Sequence, residues 1–128
     1  MVCITLILTA GVSVGAHYSI PWESLYPVKI YFNESLASSF ALTHESEAEL
    51  QLQLIENRIQ ELNELKYENI SDDTLLIIIE NNIIKHTKLF LESYWKMPYK
   101  NTQKEILKNK FNLLIWNIWL ELDTFMIQ

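Results

Sequence analysis

The three histidines are the residues best suited to metal chemistry, and the segment around His44 comes closest to a known motif. Zinc proteases place two histidines four residues apart on one helix, with a glutamate after the first. The segment His44-Glu45-Ser46-Glu47-Ala48 begins in this way but has alanine where the second histidine is required. We therefore expect His44 to begin a helix rather than to bind zinc.

The other histidines show no spacing that requires a metal. His86 falls on the same predicted helix face as Ile79, Ile83 and Phe90, which is typical of a core histidine with a hydrogen-bond partner. The alternative is a metal held jointly with His17 and His44. Serine nucleophiles lack the glycine of a nucleophile elbow, and the carboxylates are expected to be solvated. We predict no catalytic residue, no cofactor and no enzyme activity.

Arg58 is the one arginine in the sequence, and Glu61 follows it by one helical turn. Two arrangements fit this spacing. The first is an ion pair between Arg58 and Glu61 on the helix surface. The second is a bidentate clamp from Arg58 to Glu34 on a neighbouring helix.

The amino-acid composition says more about the fold of the chain than about its chemistry. The 128 residues are 49% hydrophobic and carry a net charge of -6, which indicates one domain with a buried core and argues against nucleic-acid binding. Both glycines, Gly11 and Gly15, lie near the start, so phosphate loops and tight hairpins are disfavoured. The single cysteine, Cys3, excludes an intrachain disulfide. A helical bundle remains.

Residues 1–16 are uncharged and mostly apolar, which predicts a signal peptide or a truncated membrane anchor. Val14-Gly15-Ala16 provides the small residues that signal peptidase prefers, with His17 following. However, no basic residue precedes Lys29, and the stretch is shorter than the roughly 20 residues that span a bilayer. The alternative is a buried N-terminal strand or helix. Residues 17–23 are interpreted as a linker.

The hydrophobic pattern predicts four helices, over residues 25–42, 44–67, 73–96 and 102–125. Their expected N-caps are Ser24, Thr43, Asp72 or Ser71, and Asn101. In the second helix, apolar residues recur at alternating spacings of four and three: Ala48, Leu52, Ile55, Ile59 and Leu62. The first helix is expected to bury Val28, Tyr31, Phe32, Leu36 and Phe40. The predicted fold is an all-α, antiparallel up-and-down bundle of three to four helices over residues 24–128.

The last predicted helix is apolar on more than one side. One face is formed by Leu107, Phe111, Leu114, Ile118, Leu122 and Phe125, and Ile115, Trp116 and Trp119 fall outside it. Such a helix is buried centrally, meets a partner or lies on a membrane surface. By default, we expect the tryptophans to fill the core.

Charge is also unevenly distributed along the chain. Residues 45–73 carry nine acidic residues against Arg58 and Lys66, while residues 74–128 carry an excess of lysine. The acidic helix face either meets these lysines across the bundle or binds a basic partner.

Four segments in close order resemble a bacterial domain family of unknown function. They are Ser24-Leu25-Tyr26-Pro27-Val28-Lys29, Phe40-Ala41-Leu42-Thr43, Glu47-Ala48-Glu49-Leu50 and Glu56-Asn57-Arg58-Ile59-Gln60-Glu61. Members of that family typically have a signal or anchor, a linker, and "LYPVK", "LALT", "AEL" and "ERRLEE"-like segments. Some members resemble the outer portions of membrane-anchored, anti-sigma-like regulators.

The resemblance covers about residues 21–65, with tryptophan at position 22 where the family usually has glycine and asparagine at position 57 where a basic or small residue is common. It implies a location outside the cytoplasmic membrane and brings no catalytic residues. The positions that match the family motifs are interpreted as structural: Leu25, Tyr26, Pro27, Val28, Lys29, Leu42, Thr43, Arg58 and Glu61.

Three functions are consistent with these patterns. The first is a non-enzymatic interaction or regulatory module of the bacterial cell envelope, secreted or anchored through residues 1–16, with a protein partner. The second is a module that lies on a membrane surface through Trp116 and Trp119. The third is a small helical metal-binding protein or hydrolase.

Overall fold

The structure is a computed structural model that describes residues 19, 23, 26–70 and 72–126. Every regular element in these ranges is helical: α1 (Tyr26–Val28), a π-helical segment (Lys29–Asn33), α2 (Glu34–Phe40), α3 (His44–Tyr67), α4 (Asp73–Lys96) and α5 (Thr102–Met126). They belong to two compact units, divided between Phe40 and Ala41. The predicted leader, most of the predicted linker, Ser24 and Leu25 lie outside the described residues.

In the second unit, the long helices α3, α4 and α5 pack against each other in an up-and-down arrangement. The predicted all-α bundle is therefore confirmed. The bounds predicted for α3 and α4 agree with the structure, and α5 continues one residue beyond its predicted end.

Side-chain caps fix where the three long helices begin. The hydroxyl of Thr43 accepts a hydrogen bond of 3.0 Å from the backbone N–H of Ser46, and the hydroxyl of Ser46 accepts one of 3.1 Å from the N–H of Thr43. Asp72 accepts from the first turn of α4, and Asn101 accepts at 2.8 Å from the N–H of residue 103. The three expected caps are confirmed, and each satisfies N–H groups that have no partner within the helix.

The turn after α3 reverses the chain without a glycine. Asn69 adopts a φ of 53°, in the left-handed region that asparagine tolerates better than most residues. The N–H of Ile70 donates to the carbonyl of Leu65 at 2.9 Å, and that of Asn69 donates to the carbonyl of Lys66 at 3.1 Å. These two bonds form a Schellman motif, with Asn69 in the position usually occupied by glycine.

Two clusters of buried side chains form the core of the bundle. The larger contains Ala48, Leu52, Ile55, Ile59, Phe90, Met97, Leu107 and Leu114, and the smaller contains Leu62, Leu65, Ile79 and Ile83. The ring of Phe90 stacks on that of Phe111, with centroids 4.6 Å apart. The apolar face predicted for α3 is thus buried, and Ile118 of α5 packs against both clusters.

In the first unit, the single helix predicted over residues 25–42 is wrong, because the chain forms α1, the π-helical segment and α2 and the last of these ends at Phe40. The apolar stripe predicted for it is wrong at its C-terminal end, and the side chains of Tyr31 and Phe32 lie outside the described part of the chain. Leu36 and Phe40 are exposed, whereas Tyr26 and Ile30 are buried. The reason is the π-helical segment Lys29–Asn33, because π-type winding has more residues per turn and changes the face on which later residues lie.

Candidate functional site

Helix α5 is apolar on two sides, and the bundle covers one of them. Leu107 and Leu114 on the packed side are 2% and 6% exposed. The uncovered side carries five large apolar residues that are each more than half exposed: Ile106 (54%), Leu113 (67%), Trp116 (66%), Trp119 (68%) and Leu120 (53%). These five residues are called the outer face of α5.

The spacing of these residues explains why one helix has two apolar sides. Ile106, Leu113 and Leu120 are separated by seven residues, which is close to two helical turns, so they lie along one line. Leu107 and Leu114 each follow this line by one residue and are rotated from it by about 100°. The second line is therefore the one that packs in the core.

The expectation that the tryptophans fill the core is wrong for Trp95, Trp116 and Trp119, which are all exposed. Trp22 lies outside the described residues. The predicted seam of α5 already fills the space between α3 and α4, so a three-helix arrangement leaves the other side of α5 uncovered. Helix α5 is therefore not the centrally buried helix that was one alternative.

Sequence reasoning identified Trp116 and Trp119 as a contact face but missed the three aliphatic residues beside them. The seven-residue spacing of Ile106, Leu113 and Leu120 was the available signal. Together, the five side chains present roughly 500–700 Å² of apolar area to solvent, which is at or above the upper end of the range for the largest apolar patch on a typical monomer.

The outer face contains no charged side chain, and the lysines at its edges are paired. The Nζ atom of Lys108 lies 3.3 Å from Oε1 of Glu105. The Nζ atom of Lys110 lies 3.6 Å from Oε2 of Glu56, and this pair joins α5 to the acidic helix α3. Within the described residues, the expected contact between the acidic face of α3 and a lysine of a later helix is therefore formed by this pair.

Helix α4 carries a second exposed stripe, which is narrower and interrupted. Its apolar members are Ile77, Ile84, Leu91 and Trp95. Asn81 and Lys88 lie on the same line at helical spacing, so the stripe contains a charge. The Nζ atom of Lys104 lies 5.7 Å from the centroid of the Trp95 ring and 4.8 Å from that of Tyr94, which places a further cation beside it.

An open cleft of about 490 Å³ lies where α3 begins and α4 ends. It is lined by residues 41–45, Glu47, Met97, Pro98 and Asn101. The amide of Asn101 donates to Oε2 of Glu45 at 3.2 Å, and His44 begins α3 as predicted. In the described part of the chain, no three His, Cys, Asp or Glu side chains are grouped as a metal site requires.

His86 is a buried histidine with a partner, as predicted. Its Nδ1 atom lies 2.7 Å from Oε1 of Gln51, and Nε2 of Gln51 donates to Oε1 of Glu47 at 2.6 Å. The sequence reasoning missed Gln51. Its position one helical turn after Ala48 and one before Ile55 was the signal that it lies on the packed side of α3.

Arg58 and Glu61 form the predicted ion pair, with an N–O distance of 2.9 Å, but the expected surface location is wrong. Both side chains are buried. Arg58 follows Ile55 by three residues and precedes Leu62 by four, so it lies on the packed side of α3. The alternative clamp to Glu34 would join the two units and stays a prediction.

The other motif residues lie at the ends of helices. In the first unit, Tyr26 is buried, Pro27 is exposed, and Nζ of Lys29 donates to the carbonyl of Ser19 at 3.1 Å. In the second unit, Leu42 is exposed and Thr43 caps α3. The structural interpretation of the motif stays a prediction, and none of these residues belongs to the outer face of α5.

In comparisons with protein family models, with curated proteins and with solved structures, the chain matches none. Among the helices of the described ranges, none has the length and apolar character of a membrane span. The resemblance of residues 21–65 to a bacterial envelope family stays a prediction.

Proposed function

We propose that the chain is a non-enzymatic interaction module and that the outer face of α5 is its binding surface. The observation that carries this proposal is the exposure of Leu113, Trp116 and Trp119 on a helix whose other side is already packed. Removing such apolar area from water favours association, and aromatic residues are enriched in protein interfaces.

Three polar side chains of the described residues form structural contacts within the bundle, which supports a binding role. His86 is engaged with Gln51 inside the bundle. Arg58 is buried against Glu61, and Thr43 forms the cap of α3. Of the two exposed apolar stripes in the described bundle, the outer face of α5 is the wider one and consists of apolar residues alone.

We further propose that the module acts outside the cytoplasmic membrane of a bacterial cell. The apolar stretch of residues 1–16 supports export or anchoring. The resemblance to the envelope family supports the same location, and it supports a regulatory rather than a metabolic role.

Site-specific photo-crosslinking in cells tests the binding surface. A photoreactive amino acid replaces Trp116 in the full chain, and the matched control replaces Gln53, an exposed residue on the polar side of α3. We expect a protein adduct from position 116 and none from position 53. Position 116 yielding no protein adduct, or both positions yielding the same adducts, would contradict the proposal.

A second candidate function is attachment to a membrane surface. The pair Trp116 and Trp119 favours it, because tryptophan is enriched where apolar side chains meet lipid headgroups. Flotation with neutral and with anionic vesicles tests it, using the full chain and a Trp116→Gln, Trp119→Gln variant. Both proteins contain residues 1–16, so a difference in flotation between them reports on Trp116 and Trp119. Equal flotation of both proteins would exclude lipid binding by α5.

A further inference from the structure

We infer that the outer face of α5 binds a second copy of this chain, with the two α5 helices antiparallel. This inference rests on the proposed function, because it names the partner of the same surface. It is carried by the order of residues along the centre of that face, by its charge and by its area.

Along the line of Ile106, Leu113 and Leu120 in the outer face, the sequence has the same pattern in both directions when the exposed Asn109 and Asn117 beside that line are included. Five exposed residues follow one another at spacings of three, four, four and three: Ile106, Asn109, Leu113, Asn117 and Leu120. Their types alternate as apolar, amide, apolar, amide and apolar. At about 100° of rotation per residue, the five residues lie within about 80° of one another around the helix, so they face in one general direction.

Because this pattern is symmetric about Leu113, two α5 helices that run in opposite directions place residues of the same type opposite each other. In an antiparallel pair centred there, Leu113 meets Leu113 of the second copy, and Ile106 meets its Leu120. Asn109 then lies opposite Asn117 of the second copy. A side-chain amide both donates and accepts, so two such groups can satisfy each other and fix the register. The contact is a two-fold interface made of the same patch on both copies.

Charge favours this partner over an anionic surface or a basic protein. The chain carries a net charge of -6, so two copies repel each other wherever their acidic residues approach. The sequence from Ile106 to Leu120 contains no acidic residue, and its lysine nearest to the contact, Lys110, is paired with Glu56 of its own copy. The lysines at its edges are paired with Glu105 and Glu56, which leaves little attraction for anionic lipid.

The exposed area reaches the lower limit for a specific pair. Trp119 lies about 120° from Leu113 around the helix and stays outside the contact, so the remaining residues with Asn109 and Asn117 contribute about 500 Å² in each copy, or about 1,000 Å² in total. Specific interfaces begin at about 1,000 Å² of total buried area.

Disulfide trapping in cells tests the pairing and its register. In a Cys3→Ser background, Leu113→Cys is expected to give a disulfide dimer on mild oxidation, because the two-fold axis brings both copies of position 113 together. Asn109→Cys alone should give little, since its two copies are separated by about 12 Å along the helix axis. Asn109→Cys combined with Asn117→Cys should restore the dimer, and Gln53→Cys is the control.

Each outcome of the trapping experiment decides the inference. A dimer from position 113 and from the 109 and 117 combination, with little from 109 alone, supports it. Dimer from position 109 alone at the level of position 113 indicates parallel pairing and overturns the inference. Absence of dimer from position 113, or an equal yield from position 53, also overturns it.

The mass of the photo-crosslinked product from position 116 separates this inference from the proposed function. A product of twice 15.1 kDa, composed of this chain alone, supports the second copy. A product containing another protein overturns self-association and leaves the proposed function standing. No product overturns both.

Sedimentation velocity of the full chain gives an independent readout. Leu113→Lys is expected to weaken self-association at least about tenfold, because the charge is introduced twice at the two-fold axis. Gln53→Lys should leave association unchanged. Far-UV circular dichroism checks that both variants keep their helical content. Unchanged association in a folded Leu113→Lys protein would overturn the inference.

Discussion

The Nδ1 atom of His86 lies 2.7 Å from the Oε1 atom of Gln51, and this buried hydrogen bond joins α4 to α3. A carbonyl oxygen accepts, so the imidazole donates through Nδ1. The amide nitrogen of Gln51 is directed toward Glu47, which fixes the orientation of the amide. One polar contact inside an apolar core therefore specifies how the two helices are aligned.

Substitution of either member of this pair should destabilise the bundle. We expect Gln51→Met and His86→Leu each to lower the free energy of unfolding by about 1–3 kcal/mol, because each leaves a buried polar group without its partner. The double variant should lose less than the sum of the two, since it removes both polar groups together. Urea denaturation of the four proteins measures the coupling, and strictly additive losses would show that the bond contributes nothing.

Breaking the buried ion pair of Arg58 and Glu61 should destabilise the protein much more than breaking an ion pair on the surface. Arg58→Met should lower the free energy of unfolding by about 3–5 kcal/mol, because it removes the positive charge that the buried carboxylate of Glu61 contacts. The matched control is Lys110→Met, which breaks the half-exposed pair with Glu56 and should cost no more than about 1 kcal/mol. Similar losses in both variants, measured by urea denaturation, would contradict the difference in burial.

Asn69 allows the chain to turn after α3 in the absence of glycine. Because its φ is 53°, Asn69→Ala should destabilise the protein by about 1 kcal/mol, and Asn69→Gly should be at least as stable as the original chain. Asn63→Ala, on the exposed side of α3, is the control and should cause no loss, because alanine favours a helix. Thermal denaturation distinguishes these variants, and equal stability of the alanine and glycine variants at position 69 would argue against the left-handed turn.

Much of the bundle could be predicted because its signals are local. Thr43, Asp72 and Asn101 each mark the start of a long helix, since a short polar side chain there satisfies exposed N–H groups. The seam from Ala48 to Leu62 was predictable for the same reason, because its spacing alone fixes the face that packs.

The features that were missed depend on packing between elements. The burial of Leu36 and Phe40 was predicted with ordinary helical periodicity, and the π-helical segment Lys29–Asn33 invalidates that periodicity. The burial of Arg58 depends on neighbours that are remote in sequence. For α5, spacing showed that two sides are apolar but could not show how many helices surround it.

Two adjacent leucines on α5 should differ strongly in how much stability the protein loses when each is replaced by alanine. Leu114 is 6% exposed and Leu113 is 67% exposed. Leu114→Ala should lower the free energy of unfolding by about 2–5 kcal/mol through the cavity that it leaves. Leu113→Ala should change it by no more than about 0.5 kcal/mol in dilute solution. Urea denaturation at low protein concentration compares them, and a larger loss at position 113 would show that the sides of α5 have been assigned the wrong way round.

The central claim is that the outer face of α5 is covered by a partner in the cell, and hydroxyl-radical footprinting of the tryptophans tests it most directly. In the isolated chain, Trp95, Trp116 and Trp119 are 73%, 66% and 68% exposed, so their oxidation rates should be similar in a dilute, folded Leu113→Lys protein. In intact cells that contain the original chain, we expect Trp116, the tryptophan nearest to Leu113 around the helix, to be oxidised several times more slowly than Trp95. Equal oxidation of Trp116 and Trp95 in the cell would contradict the claim.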